Sequence, residues 1–195
     1  MTKYVLAGGS DRLYPDYGKR LADFVNNEVK FPRLLGCFFS QSKEERESKR
    51  ADWEAWYDSY FPTAKSLLIA DEEHFLEQIA ESDVVYLHGG ETRRLKEALP
   101  DAKIMRKVFD GKIVVGSSAG ANCLTYTSYS PSADSIQKGM GLIDIGVVVH
   151  YGASSFNGKE YTVDQWRRAV TGVKSQLGDR PLLLLPEGNF TVIEQ

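Results

Sequence analysis

The run Lys112-Ile113-Val114-Val115, followed at once by Gly116-Ser117-Ser118-Ala119-Gly120, leaves this chain few folds to choose from. A run so short, apolar and β-branched reads as a strand buried on both faces, the kind found in parallel sheets covered by helices. Ala119 to Leu124 is small-residue and helix-compatible, so a sharp turn must join strand to helix. In that context G-x-S-x-G presents the central serine on a tight turn. Its flanking residues are small because the turn leaves no room for larger ones, and the next backbone N–H can face an oxyanion. Ser118 is therefore the candidate nucleophile.

The rest of the chain alternates in the same way. Tyr4 to Ala7 reads as a strand ending in Gly8-Gly9-Ser10-Asp11, and Tyr17 to Val29 carries Leu21, Phe24, Val25 and Val29 at helical spacing. Arg33 to Phe39 is a second strand. The charged stretch from Ser42 to Asp58 places Trp53, Trp56 and Tyr57 on one helical face. Ser66 to Ala70 and Asp83 to Leu87 are further strands, with a short helix at His74 to Ala80 between them and another helix at Thr92 to Leu99. Thr125 to Gly141, rich in Ser, Tyr, Gly and Pro, reads as a long surface loop able to act as a lid. Val147 to Val149 is a strand ending at His150, Gln165 to Leu177 a helix, and Pro181 to Leu185 with Thr191 to Ile193 a closing strand pair. Such alternation predicts an α/β fold, a three-layer α/β/α sandwich around a mostly parallel central sheet, with its ligand site outside the carboxyl ends of the strands. Four such ends carry glycine or polar chemistry: Gly8 to Asp11, His88-Gly89-Gly90-Glu91, the Ser118 turn and His150.

Bulk properties narrow the function classes. At 195 residues and 42% hydrophobic, the chain can bury one sizeable core, so residues 1–195 are read as a single domain. A net charge of −3 offers no electrostatic footprint for nucleic acid or an anionic membrane surface. No apolar run approaches the roughly 20 residues of a membrane span, and the N-terminal apolar stretch is too short for a signal peptide, so a cytoplasmic location is expected. Cys37 and Cys123 lack metal-binding or disulfide spacing and read as buried thiols. Gly8-Gly9-Ser10 has neither dinucleotide nor Walker spacing.

A serine needs a base to take its proton, and the usual base is a histidine oriented by a carboxylate. Of the three histidines, His74 lies on an exposed charged segment, whereas His88 and His150 both end apolar strands. His150 is preferred for its order after the serine, and each could instead be a hydrogen-bonded strand-end histidine. Asp134 between Ser118 and His150 gives the order Ser, Asp, His found in α/β-hydrolase-type sites, with Asp144 and Glu187 as competing acids. Any of the three carboxylates could equally be a turn or capping residue.

Taken together, these blocks resemble the peptidase E (aspartyl dipeptidase) family, related to cyanophycinases and built on the class I glutamine amidotransferase-like fold. The carrying residues are Gly116 to Asn122, the loop His88-Gly89-Gly90-Glu91-Thr92, Val149-His150, and Leu185-Pro186-Glu187-Gly188-Asn189. The resemblance implies a serine exopeptidase, dipeptidase-like, acting on short peptides through an acyl-enzyme, with Ser118 as nucleophile, His150 as base and Asp134 as acid. It implies an oxyanion hole from the N–H groups of Gly90 and Ala119, with His88, Glu91 and Thr92 flanking the substrate. Neither metal nor organic cofactor enters such a mechanism. The partner is a short peptide, with no nucleic acid or membrane, and the oligomeric state stays open between monomer and homodimer.

Departures from the family pattern bear on specificity. His88 stands where relatives have Gly, Glu91 where they usually have Asn, and Val163 where an arginine recognises an aspartyl side chain, so strict Asp-X specificity is not expected. Arg167 or Arg168 could substitute only with a shifted helix register. Two other classes remain in view: a non-peptidase serine hydrolase or amidase on the same scaffold, and a catalytically silent binding protein that keeps the turn for packing.

Overall fold

The computed structural model describes residues 1–10 and 13–195. Its elements alternate as expected in the first half: β1 (Lys3–Ala7), α1 (Pro15–Glu28), β2 (Arg33–Cys37), α2 (Lys43–Tyr60), β3 (Ser66–Ile69), α3 (Phe75–Glu81), β4 (Val84–Leu87), α4 (Thr92–Ala98), α5 (Ala102–Val108) and β5 (Ile113–Ser117). There follow α6 (Ala119–Leu124), β6 (Thr125–Ser130), β7 (Ser135–Lys138), β8 (Ile143–Val149), β9 (Ser155–Phe156), β10 (Lys159–Glu160), α7 (Val163–Leu177), β11 (Leu182–Leu185) and β12 (Phe190–Glu194).

A six-stranded sheet in the order β12-β1-β5-β4-β2-β3 forms the centre, parallel throughout except for β12, which runs antiparallel to β1. Neighbouring residues of each strand face opposite layers, as the pleat requires. Leu6, Leu35, Val85 and Val114 join the core under α3 to α6, while Val5, Leu34, Val84 and Val115 join the core under α1 and α2. The three-layer α/β expectation therefore holds. Local signals fix the helices: Pro15 opens α1, and Ser42 with Glu45 forms a reciprocal capping box that starts α2. Asp101 caps the short α5 by accepting from the N–H groups of Lys103 and Ile104.

Two expectations need correction. Thr125 to Gly141 is not a surface loop. Most of it is the antiparallel pair β6 and β7, part of a four-stranded sheet ordered β11-β8-β6-β7. Ser- and Tyr-rich composition suggested a loop, but Thr and Tyr are good strand formers. The buried threonine hydroxyls find partners here: Thr125 donates to the Asn122 carbonyl and Thr127 to that of Gln137. Nor do β11 and β12 pair with each other. β11 lies parallel to β8 in the four-stranded sheet and β12 edges the central one. Residues 186–189 are thus a link between two sheets. The end of β1 fastens that link, because Gly8 N–H donates to Asn189 O at 2.9 Å and Gly8 O accepts from His150 N–H at 3.0 Å.

Candidate active site

Ser118 leaves β5 with φ +50° and ψ −104°, outside the regions L-residues favour, and immediately precedes α6. Its N–H donates to Ala7 O at 3.0 Å and its carbonyl accepts from Asn122 N–H at 2.9 Å, so backbone bonds on both sides hold the strained turn. The glycines of the pentapeptide answer to space: a Cβ on Gly120 would lie 2.1 Å from Leu87 O, and one on Gly116 would lie 2.7 Å from the Gly120 carbonyl carbon. The helix can start directly above the strand only because those atoms are absent.

Three further segments converge on this serine. Ser118 Oγ lies 2.7 Å from His150 Nε2, and His150 Nδ1 lies 2.7 Å from Glu187 Oε1. Hydrogen bonding from His150, reinforced by Ser10 and opposed by burial, holds the Glu187 carboxyl below the usual carboxylate range. An ionised carboxylate only accepts, so His150 donates from Nδ1, and in the neutral ring that leaves the lone pair on Nε2 for the Ser118 hydroxyl to meet. His150 is 2% exposed and Glu187 15%, which limits competition from water. Phe156 packs on the imidazole with ring centroids 4.1 Å apart. Gly9 comes so close that a Cβ there would sit 2.4 Å from His150 Cε1 and 3.0 Å from Ser118 Cβ.

Asp134, expected as the acid, does not reach His150. It occupies the turn between β6 and β7 with φ +46°, accepting from Tyr129 Oη at 2.5 Å and Lys159 Nζ at 3.0 Å. The hairpin that replaced the expected loop carries it away. Asp144 is paired with Arg180 at the surface, so of the three candidate carboxylates Glu187 is the one on the imidazole. Asp11 lies outside the described residues.

The loop after β4 faces the same place. Gly89 is close enough that a Cβ on it would meet Ser118 Cβ at 3.4 Å, and Gly90 has φ +149°, where a Cβ would strike Ser40 O at 2.6 Å. Ser40, which sequence reasoning missed, shapes the loop. Its hydroxyl reaches the carbonyls of His88 and Gly89 at 3.0 and 2.8 Å, and its own carbonyl accepts from Glu91 N–H at 2.8 Å. The signal available was its position just past β2, a strand next to β4.

His88 is 1% exposed, its ring stacked between Phe38 and Tyr86 at 4.0 Å from each, with Tyr57 Oη 2.6 Å from Nε2. Burial pushes its pKa well below the ordinary 6.5, so it is neutral. The ring supports the loop from below and cannot serve as base to Ser118. Thr92 is buried and its hydroxyl accepts from Asn122 Nδ2 at 3.3 Å, tying α4 to α6. Glu91 precedes α4 and is met by Arg93 at 3.3 Å and Arg94 at 3.5 Å. His74 is exposed and bonded to Asp71. Asp71, Glu73 and His74 have ligand atoms within 4.8 Å of one another, all exposed and apart from the cleft.

Ser118 and His150 open into a cleft of about 640 Å³, bordered also by Lys49, Arg93, Arg94, Glu45 and Glu91. Val163 is exposed at the start of α7, and Arg167 pairs with Asp164 at the surface. Arg168 borders a separate depression with Asp134 and Tyr129.

The profile of Peptidase family S51 matches residues 65–195, which include Ser118, His150 and Glu187. The chain belongs to that family. As an S51 member it is a serine-type peptidase. Among solved structures, a peptidase from an acI-B1 Actinobacterium has a similar fold, with a TM-score of 0.66 and 18% identity, the match covering 100% of this chain and 84% of that one. No curated protein sequence matches this chain. The S51 match begins after β2, so the Gly8-Gly9-Ser10 end of β1 is known at the site from geometry alone.

Proposed function

We propose that the protein is an exopeptidase that hydrolyses short peptides through Ser118, His150 and Glu187. The observation that carries this reading is the unbroken chain from Ser118 Oγ through both imidazole nitrogens to Glu187, two contacts of 2.7 Å each, at the wall of the cleft. Ser118 Oγ attacks the scissile carbonyl carbon as its proton passes to His150 Nε2. Glu187 stabilises the imidazolium and holds its orientation without itself taking the proton. The oxyanion is received by the N–H groups of Gly90 and Ala119, each donor worth about 3 kcal/mol in the transition state. His150 then gives that proton to the leaving amine as the C–N bond of the tetrahedral intermediate breaks and the acyl-enzyme ester forms, and water activated by the same histidine hydrolyses the ester to free Ser118.

A cleft of about 640 Å³ suits a peptide of a few residues. Its cations are largely matched by its acids, since Glu91 meets Arg93 and Arg94, and Glu45 lies 3.6 Å from Lys49. That balance, with Val163 exposed and apart from the cleft, favours recognition of peptide termini over strict selection of an N-terminal aspartate. The test is turnover of N-terminally varied dipeptides by wild type and Ser118→Ala. Hydrolysis across several N-terminal residues, abolished in the variant, is expected. Peptides untouched while a serine-directed phosphonate labels Ser118 would point instead to a non-peptidase hydrolase.

A further inference from the structure

The turn that ends β1 takes no part in the chemistry just described, yet it touches every member of the relay. Ser10 Oγ donates to Glu187 Oε1 at 2.7 Å, the same oxygen that His150 Nδ1 meets at 2.7 Å. Ser10 does so from φ +59°, a conformation that costs a non-glycine residue about 1 kcal/mol or more. A turn needing only that backbone shape would be served better by glycine, as at neighbouring Gly9 with φ +99°. The bland explanation, that the serine side chain stabilises its own turn, does not fit either. The Ser10 carbonyl accepts from Leu13 N–H at 2.9 Å, whereas the hydroxyl spans the chain to residue 187.

We propose that Ser10 is a positioning residue, a fourth member of the relay whose hydroxyl fixes the Glu187 carboxylate in the plane that meets His150. The inference rests on the reading of Ser118, His150 and Glu187 as the catalytic relay. A glutamate carboxyl turns freely about its last torsion unless something holds it. The other side-chain hydroxyl near it, Tyr14 Oη, stands 3.5 Å from Oε2, at the limit of a hydrogen bond. Ser10 is itself held. Gly188 N–H donates to Gly9 O at 3.1 Å and Gly8 N–H to Asn189 O at 2.9 Å, so the turn and the residue 186–189 link are clamped backbone to backbone on both sides of the Ser10–Glu187 bond. Donor and acceptor therefore keep their spacing whatever the side chains elsewhere in the cleft do. The hydroxyl also adds to the forces that keep Glu187 ionised.

The decisive variant is Ser10→Gly, which removes the hydroxyl while accepting the positive φ without strain. Its melting temperature is expected to match or exceed that of wild type, its kcat to fall about tenfold or more, and its KM to change less than twofold. Ser10→Ala also removes the hydroxyl while keeping a Cβ at the same φ, and should lose a similar share of kcat per active site, counted by phosphonate titration. In a Glu187→Gln background, Ser10→Gly should cost little more, because the carboxylate it positions is gone. Wild-type kcat in Ser10→Gly, or an undiminished loss in the Glu187→Gln background, would overturn the role of Ser10. Failure of the phosphonate to label Ser118 in wild type would overturn the relay itself, and Ser10 as part of it.

Discussion

Glu187 Oε1 and His150 Nδ1 lie 2.7 Å apart although 37 residues separate them, because β8 and β11 run parallel as neighbours and end side by side. His150 ends β8, and Glu187 sits in the link that leaves β11 for β12. In the proposed mechanism this contact sets the tautomer of the imidazole that deprotonates Ser118.

Replacing Glu187 with Gln keeps the shape but allows the imidazole to settle in the wrong tautomer. In kinetic assays Glu187→Gln should lose roughly 10³ to 10⁴ in kcat with the fold retained. Asp134→Asn, which breaks only the contacts to Tyr129 and Lys159, should stay within about threefold of wild type. The reverse pattern would return the acid to Asp134.

His88 gives the protein a pH-dependent stability. Its folded pKa lies well below 6.5, so between the two values the unfolded chain binds a proton that the folded chain refuses. Stability is then fully present above 6.5 and declines as the solution is acidified, with a slope of about 1.4 kcal/mol per pH unit from this one group. Urea unfolding of wild type and His88→Gln from pH 7.5 to pH 5 measures it. The variant should start less stable, having lost the stacked ring, but should show the shallower acid decline. Parallel declines would assign the effect to other groups.

Gly90→Ala tests the oxyanion loop. A methyl group there meets Ser40 O at 2.6 Å and cannot share the φ of +149°, so the loop must shift and kcat should fall about a hundredfold. Gly111→Ala is the control for backbone strain alone. Its φ is +73° and nothing lies within 4 Å of the new methyl, so it should cost about 1 kcal/mol of stability and spare kcat.

Ser118 and His150 were readable because each ends an apolar strand, although the two strands lie in different sheets. The glycines around Ser118 were readable too, as the space they vacate is set by the local strand-to-helix turn. Glu187 was legible only as one of three carboxylates. Its position depends on β11 and β12 parting into different sheets, which no periodicity within 181–193 records. Asp134 followed the order of α/β-hydrolase sites, and that order assumed a loop where Thr125 to Lys138 makes a hairpin. Ser10 was legible only within one of four polar strand ends, and the part played by Ser40 could not be read at all. Each depends on a hydroxyl meeting a segment 48 or 177 residues away.

On the proposed mechanism, the link at residues 186–189 makes hydrolysis a gauge of alignment between two sheets whose backbones meet at the end of β1. The proposed nucleophile Ser118 is carried by the six-stranded sheet, the proposed base His150 by the four-stranded sheet, and Glu187 by the strap between them. A slip of one layer past the other by even an ångström breaks the proton path while every ladder stays intact. In a denaturant titration, turnover should therefore vanish at a lower concentration than far-ultraviolet circular dichroism. Coincident losses would mean that the two layers separate only when both unfold.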